Sequence, residues 1–247
     1  MRAQTEACGC FPTGRHYPGI AHLLRASTAG LVSGIAPETP WNDLEIALLD
    51  VETTGRDASM DRVVEAGVSV GRGGAIVAKY NWLVNPGVPI PAESSAVHGI
   101  RDEDVRDKPS FAEIAPELLA ALGARVPAAY NALFDKAFIL AELARANVDT
   151  SAAPALERAV VWLDPLVWAR EIQQDQKSRA LGEVAARLGI SLENAHRAME
   201  DAEAALRVLY ALGVDGRVPR PYGALVQEQR RFSLAQADER RVWSRPS

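Results

Sequence analysis

The 247-residue chain has only two cysteines, Cys8 and Cys10. Two cannot build a disulfide framework, which excludes the stapled secreted scaffolds and fits a reducing compartment. No apolar run approaches the roughly 18–20 residues that span a bilayer, so no membrane association is expected. Arg2 is not followed by a continuous apolar stretch, so no secretory signal is expected and the location implied is cytoplasmic. Positive charge is also in deficit. Lys+Arg total 27 against 32 Asp+Glu, a formal net charge of −5. That excludes a protein that coats nucleic acid by bulk positive charge, though not an enzyme that holds it locally through metal ions. What is present is an ordinary globular mixture, 48% hydrophobic and 24% charged, without internal repeats.

Three regions are expected. Residues 1–43 are broken by Pro12, Gly14, Pro18, Gly19, Gly30, Gly34, Pro37 and Pro40, and read as an N-terminal extension with at most a short helix around Ile20–Ala29. Residues 44–213 carry the periodic signal. Residues 214–247 form an arginine-rich tail, with seven arginines and three acids after Gly216, read as a solvated segment. Within the middle region Ile46–Glu52 reads as a buried strand whose end carries carboxylates. Arg62–Val70 and Ala75–Val84 read as two strands of a hairpin turned by Gly71-Arg72-Gly73-Gly74. Asn85–Pro91 is a Pro-rich loop. Ser110 with Glu113 makes a capping box before the apolar positions Phe111, Ile114, Leu118, Leu119 and Leu122. Val126–Asn131 reads as a fourth strand, Phe134–Asn147 as a helix and Val160–Leu163 as a short fifth strand. Helices are expected at Pro165–Gln173, Ala180–Leu188 and Ala198–Leu212. A hairpin start followed by alternating helices and strands indicates an α/β domain with a mixed sheet.

The chemistry gathers on carboxylates. Asp50 and Glu52 are two apart on a strand, so both project from one sheet face. Like charges at the end of an apolar strand repel and resist desolvation, and hard oxygen donors of this kind suit Mg²⁺ or Mn²⁺. Thr53-Thr54-Gly55 follows as a tight turn whose backbone N–H groups can face an anion. Asn131-Ala132-Leu133-Phe134-Asp135 puts Asp135 at a strand-to-helix junction, where α/β sheets collect ligands. His196 precedes Asp201 by five residues, about 140° apart on a regular helix. The two converge only if His196 sits in the loop before the helix and Asp201 on it. Taken singly, each has a structural explanation: Asp135 as a helix cap, Asp201 as a solvated acid, His196 as a surface residue.

Together, Asp50-x-Glu52-Thr-Thr-Gly, Asn-Ala-x-Phe-Asp ending at Asp135, and His196 with four residues before Asp201 resemble the three motifs of the DEDDh 3′→5′ exonucleases. The likeness is greatest to the proofreading (epsilon) subunits of bacterial replicative DNA polymerases and their stand-alone relatives. Val97-His98-Gly99-Ile100 and Asp107-Lys108-Pro109-Ser110-Phe111 resemble that group too, and the resemblance spans about residues 44–212. It implies a ribonuclease H-like fold with a five-stranded mixed sheet flanked by helices. It also implies two Mg²⁺ (or Mn²⁺) ions held by Asp50, Glu52, Asp135 and Asp201, with Asp50 touching both and Asp135 acting through water. His196 is then the general base, a role suited to an imidazole of ordinary pKa about 6.5. Thr53, Thr54, Gly55, His98, Asn131 and Phe134 are implied to line the substrate site, with a core role open for Phe134. The expected product is a nucleoside 5′-monophosphate from a single-stranded or mismatched DNA 3′ end. The alternatives are an RNA or small-oligonucleotide exonuclease of the same fold, and a binding module with a degenerate site. A family branch with Tyr in place of His is disfavoured, because Arg197 stands four residues before Asp201.

Two weaker signals remain. Cys8-x-Cys10 with His16 and His22 fits no established zinc spacing. Gln229-Arg-Arg-Phe232-Ser-Leu234 distantly resembles a sliding-clamp peptide, so a polymerase or clamp partner at the tail is a further expectation.

Overall fold

The computed structural model describes residues 28–192 and 196–243. Cys8, Cys10, His16, His22 and nearly all of the expected helix at Ile20–Ala29 lie outside them. Four strands form one sheet: β1 (Ile46–Thr53), β2 (Val63–Arg72), β3 (Ala75–Leu83) and β4 (Val126–Ala128). Their order is β3-β2-β1-β4. The first three are antiparallel neighbours, and β4 runs parallel to β1. Gly73 and Gly74 both have positive φ, 60° and 84°, so the expected hairpin closes through the turn type that matches strand twist.

The expected fifth strand is a correction. Only Leu163 reaches the sheet edge, through a parallel bridge to Ala128. Its N–H donates to Pro127 O and its carbonyl accepts from Ala129 N–H. One step earlier the ladder needs a donor at residue 127, and proline has none. The N–H of Val161 turns away instead and donates to Gly30 O at 2.8 Å.

Among the described residues eight α-helices surround the sheet: α1 (Ala92–His98), α2 (Asp102–Val105), α3 (Phe111–Leu122), α4 (Ala132–Arg145), α5 (Pro165–Ile172), α6 (Leu181–Arg187), α7 (Ala198–Leu212) and α8 (Tyr222–Trp243). Strand alternation divides the core. Ala47, Leu49 and Val51 face one way, toward α3 and α4. Ile46 and Leu48 face the other, toward α5, α7 and α8. Asp50 and Glu52 share the parity of Ile46 and Leu48, so they point to the face that α7 covers.

Helix α4 begins two residues earlier than its sequence suggests. Asn131 sits before it with φ 71°, and the Asn131 and Ala132 N–H groups donate to the two carboxylate oxygens of Asp164 at 3.0 and 3.1 Å. The cap is supplied from 33 residues away.

The tail is also a correction. It is not a solvated segment, because α8 packs on the domain with Tyr222, Leu225, Val226, Gln229 and Phe232 buried. Gln229 accepts from Asp164 N–H and Trp168 Nε1–H and donates to Trp162 O. Phe232 meets the Trp168 ring edge-on at 5.5 Å. Gln229 and Phe232 of the clamp-like pattern are therefore committed to the fold, whereas Leu234 is exposed. The described part of the N-terminal stretch also packs: Leu31, Val32 and Trp41 are buried, and Gly223 and Tyr222 N–H donate to Pro37 and Thr39 carbonyls. No helix among the described residues is long and apolar enough to cross a membrane.

Candidate active site

Three carboxylates converge where β1 ends beneath the start of α7. One oxygen from each of Asp50, Glu52 and Asp201 lies within 4.8 Å of the others. Asp135, in the first turn of α4 and 2% exposed, reaches β1 from the other side, its Oδ1 accepting Val51 N–H at 3.1 Å. His196 stands in the turn just before α7, exposed, with φ 68°. Its backbone N–H donates to Asp201 Oδ2 at 3.2 Å. The five-residue separation is thus resolved as the spacing required, with a left-handed residue in a loop followed by an acid on the first turn.

The electrostatics are those of crowded, mutually repelling carboxylates. Burial at the strand end, reinforced by Asp135, Asp201, Glu52 and Glu65, pushes the Asp50 carboxyl well above the usual range. Burial and the nearby Asp201 and Glu65 push Glu52 up to about 8, against the pull of Arg197. Asp201 is raised by burial, opposed by the His196 N–H. Asp135 is raised by burial in spite of its backbone hydrogen bonds. Asp201 Oδ1 is buried and has no partner among the described residues. Crowded hard oxygen donors with an orphaned carboxylate oxygen fit a divalent cation such as Mg²⁺ or Mn²⁺.

A pH dependence follows. In chelator the folded state holds protons that the unfolded chain releases near pH 4.5, so stability falls as pH rises from about 4.5 to about 8. A divalent cation displaces those protons and relieves the repulsion. The rise in Tm on replacing chelator with Mn²⁺ is therefore expected to be larger at pH 8 than at pH 6, by thermal melts at both. Equal increments would contradict mutual repulsion as the organising force.

The expected substrate-side residues also gather. Glu52, Thr53, Thr54, Gly55, His98, Asn131 and Phe134 line one open cleft of about 750 Å³. Thr54 N–H is spent on Arg62 O, and Thr53 Oγ1–H donates to Gly55 O. His98 closes α1, and its Nδ1 accepts Ile100 N–H. Burial lowers its pKa, with the Thr53 backbone and Glu65 pulling the other way. Phe134 both faces the cleft and packs on Phe138, ring centroids 4.8 Å apart.

One pair escapes the sequence reading. Glu65, fully buried on β2 opposite Glu52, takes a two-pronged grip from Arg197 at 3.0 and 2.7 Å and accepts Ala198 N–H at 3.1 Å. Burial alone would raise its pKa. The hydrogen bonds from Arg197, Asn81 and Ala198 outweigh that and hold it below the usual range. The pair fixes Arg197 and Ala198, the two residues directly after His196. A close approach sets its depth: a Cβ at Gly67 on β2 would fall 2.4 Å from backbone atoms of Ala198 and Met199.

A family model described as Exonuclease (RNase_T) matches residues 48–209. The chain belongs to the DEDDh exonuclease family. It is therefore an exonuclease by family, a phosphodiester hydrolase. Its relatives include the PolC-type DNA polymerase III of Clostridium perfringens, 35% identical over 167 residues, and that of Thermotoga maritima, 29% identical over 190. These alignments cover 68% and 77% of this chain but only 11% and 13% of the polymerases. Among solved structures, Exonuclease X in complex with 5′-overhanging duplex DNA aligns with TM-score 0.58 at 20% identity, covering 74% of this chain and 99% of that one. A structure of exonuclease I aligns with TM-score 0.61 at 18% identity, covering 70% and 41%. These exonucleases share the fold, and β1 and α7, which carry the acidic cluster, lie almost wholly within the span matched by the family model.

Proposed function

We propose that this exonuclease removes nucleotides one at a time from the 3′ end of DNA, single-stranded or mismatched, releasing nucleoside 5′-monophosphates. The observation that carries this reading is the convergence of Asp50, Glu52 and Asp201 from two separate elements, with the His196 turn directly above Asp201. Asp50, Glu52 and Asp201 would hold a divalent cation, and Asp135 would complete the set for a second on the side facing α4. When bound, such ions neutralise the phosphodiester and stabilise the attacking and leaving oxygens. His196 takes the proton of the attacking water. Its exposure leaves the ring open to solvent, and the Glu65–Arg197 grip holds its backbone in place. Glu52, as a member of both the acidic cluster and the cleft, joins the reacting end to the terminal nucleotide. His98 and Phe134 wall that nucleotide in, Phe134 offering a ring face for a base. Support for DNA over RNA comes from the relatives, one of which is seen on duplex DNA and others of which are DNA polymerases.

The test compares 5′-labelled single-stranded DNA, mismatched duplex and RNA of one sequence with Mg²⁺ or Mn²⁺. Ladders shortening from the 3′ side, fastest on DNA, are expected, with no cleavage in excess chelator. Cuts in a closed circular single strand, or full activity in chelator, would contradict the assignment.

A further inference from the structure

Beyond the cleft, two more cavities open along α8. One, of about 1050 Å³, lies between α8 and the α5–α6 connection and is lined by Arg170, Lys177 and Arg179. The other, of about 400 Å³, lies between α8 and the start of α4 and is lined by Lys136, Arg158, Arg170 and Arg230. They share Asn131, Arg170 and Gln236, and Asn131 also lines the catalytic cleft. All three spaces therefore meet at one residue.

Six cations against two acids is an anomaly in a chain of net charge −5. Of the acids, Glu171 lies in the larger cavity, and Asp164 in the smaller is occupied by the N–H groups of Asn131, Ala132 and Leu166. Lys136 and Arg230 are partly engaged by main-chain carbonyls. Arg179 Nη2 donates to Gln173 and Gln174 carbonyls, but its Nε is screened from solvent and has no partner among the described residues. Gln236 Oε1, on α8, is in the same condition. Arg158 and Lys177 are exposed.

We infer that α8, which lies outside the family-matched span, completes a basic groove for the single strand leading to the 3′ end in the cleft. The inference rests on the exonuclease reading for the identity of the strand. The polyanion is the occupant that the charge excess favours, since each phosphate held by a cation releases a counterion. Exposed Leu133 and Leu234 at the smaller cavity offer apolar surface to unstacked bases.

The test uses the full chain carrying Arg158→Ala and Lys177→Ala together, both surface changes, with a melt to verify folding. Binding of a fluorescent 20-nucleotide DNA is measured by anisotropy in chelator, and hydrolysis of the 20-mer and of a dinucleotide is measured with Mg²⁺. The groove predicts about tenfold weaker binding of the 20-mer, and a salt dependence of log K shallower by roughly 1.4, about 0.7 for each phosphate no longer held by a cation. It also predicts a similar fall in the ratio of kcat/KM for 20-mer over dinucleotide. Unchanged binding and salt slope would overturn the groove, and would leave it to a protein partner instead. A wild-type protein that binds the 20-mer through these residues but hydrolyses neither substrate would refute the exonuclease reading while sustaining the groove.

Discussion

Asp50→Asn is expected to lower kcat by about three orders of magnitude or more, and at the same time to raise the Tm of the metal-free protein. The two effects have one origin. Asp50 lies beside Asp135, Asp201 and Glu52, and burial together with these like charges pushes its carboxyl well above the usual range. Asn keeps the shape and removes the charge. Without a cation, that relieves repulsion and stabilises the fold. With substrate present, it removes a ligand from the centre of the site, and the loss of even a single preorganised electrostatic group costs about 10²–10³ in rate. The Tm increment on adding Mn²⁺ should shrink in the variant. The measurements are single-turnover rates on a labelled strand and melts in chelator and in Mn²⁺. A variant that hydrolyses at near wild-type rate would remove Asp50 from the reaction, whatever its effect on stability.

His196→Ala tests a different link. If the imidazole takes the proton of the attacking water, kcat should drop by roughly 10²–10⁴-fold. Folding should change little, since the ring is exposed and the hydrogen bond to Asp201 comes from the backbone N–H, which alanine keeps. The Mn²⁺-induced rise in Tm should persist, because the cation donors are carboxylates. That persistence separates the two variants: Asp50→Asn loses both rate and metal response, His196→Ala loses rate alone. The rate–pH profile under saturating metal should lose its rising limb in the variant. Metal-bound water also titrates near neutrality, so the informative quantity is the difference between the two profiles. Because residue 196 has φ 68°, His196→Asn is the better control for backbone effects, asparagine tolerating that region more readily than alanine. A rate near wild type in both variants would exclude His196 as the base.

The acidic site was legible because its parts obey local rules. Alternation places Asp50 and Glu52 together, and the helix beginning at Ala198 puts His196 outside it and Asp201 inside. What was not legible depends on distant partners. Nothing near Asn131 announces that Asp164 will cap α4, nor that Gln229 on α8 will hold Asp164 in turn. Helix α8 was obscured by its arginines, although Tyr222, Leu225, Val226, Gln229 and Phe232 recur at helical spacing. Helix α1 lacks a capping side chain and follows Pro91, so no local signal marks its start. The fifth strand failed for want of one N–H at Pro127. Glu65 did leave a signal, a single acid inside the apolar run from Val63 to Val70, which the strand pattern alone does not interpret.

Gly67 acts as a gauge for the depth of the site. With no side chain there, the first turn of α7 rests directly on the sheet, backbone to backbone. A single methyl at that position would behave as a shim, lifting Ala198 and Met199 outward until ordinary van der Waals spacing was restored. The His196 turn and Asp201 would ride outward with them, while Asp50 and Glu52, anchored in β1, would stay behind. The spacing between the two halves of the acidic cluster is thus a mechanical dimension of the scaffold, set at a residue that bears no functional group at all.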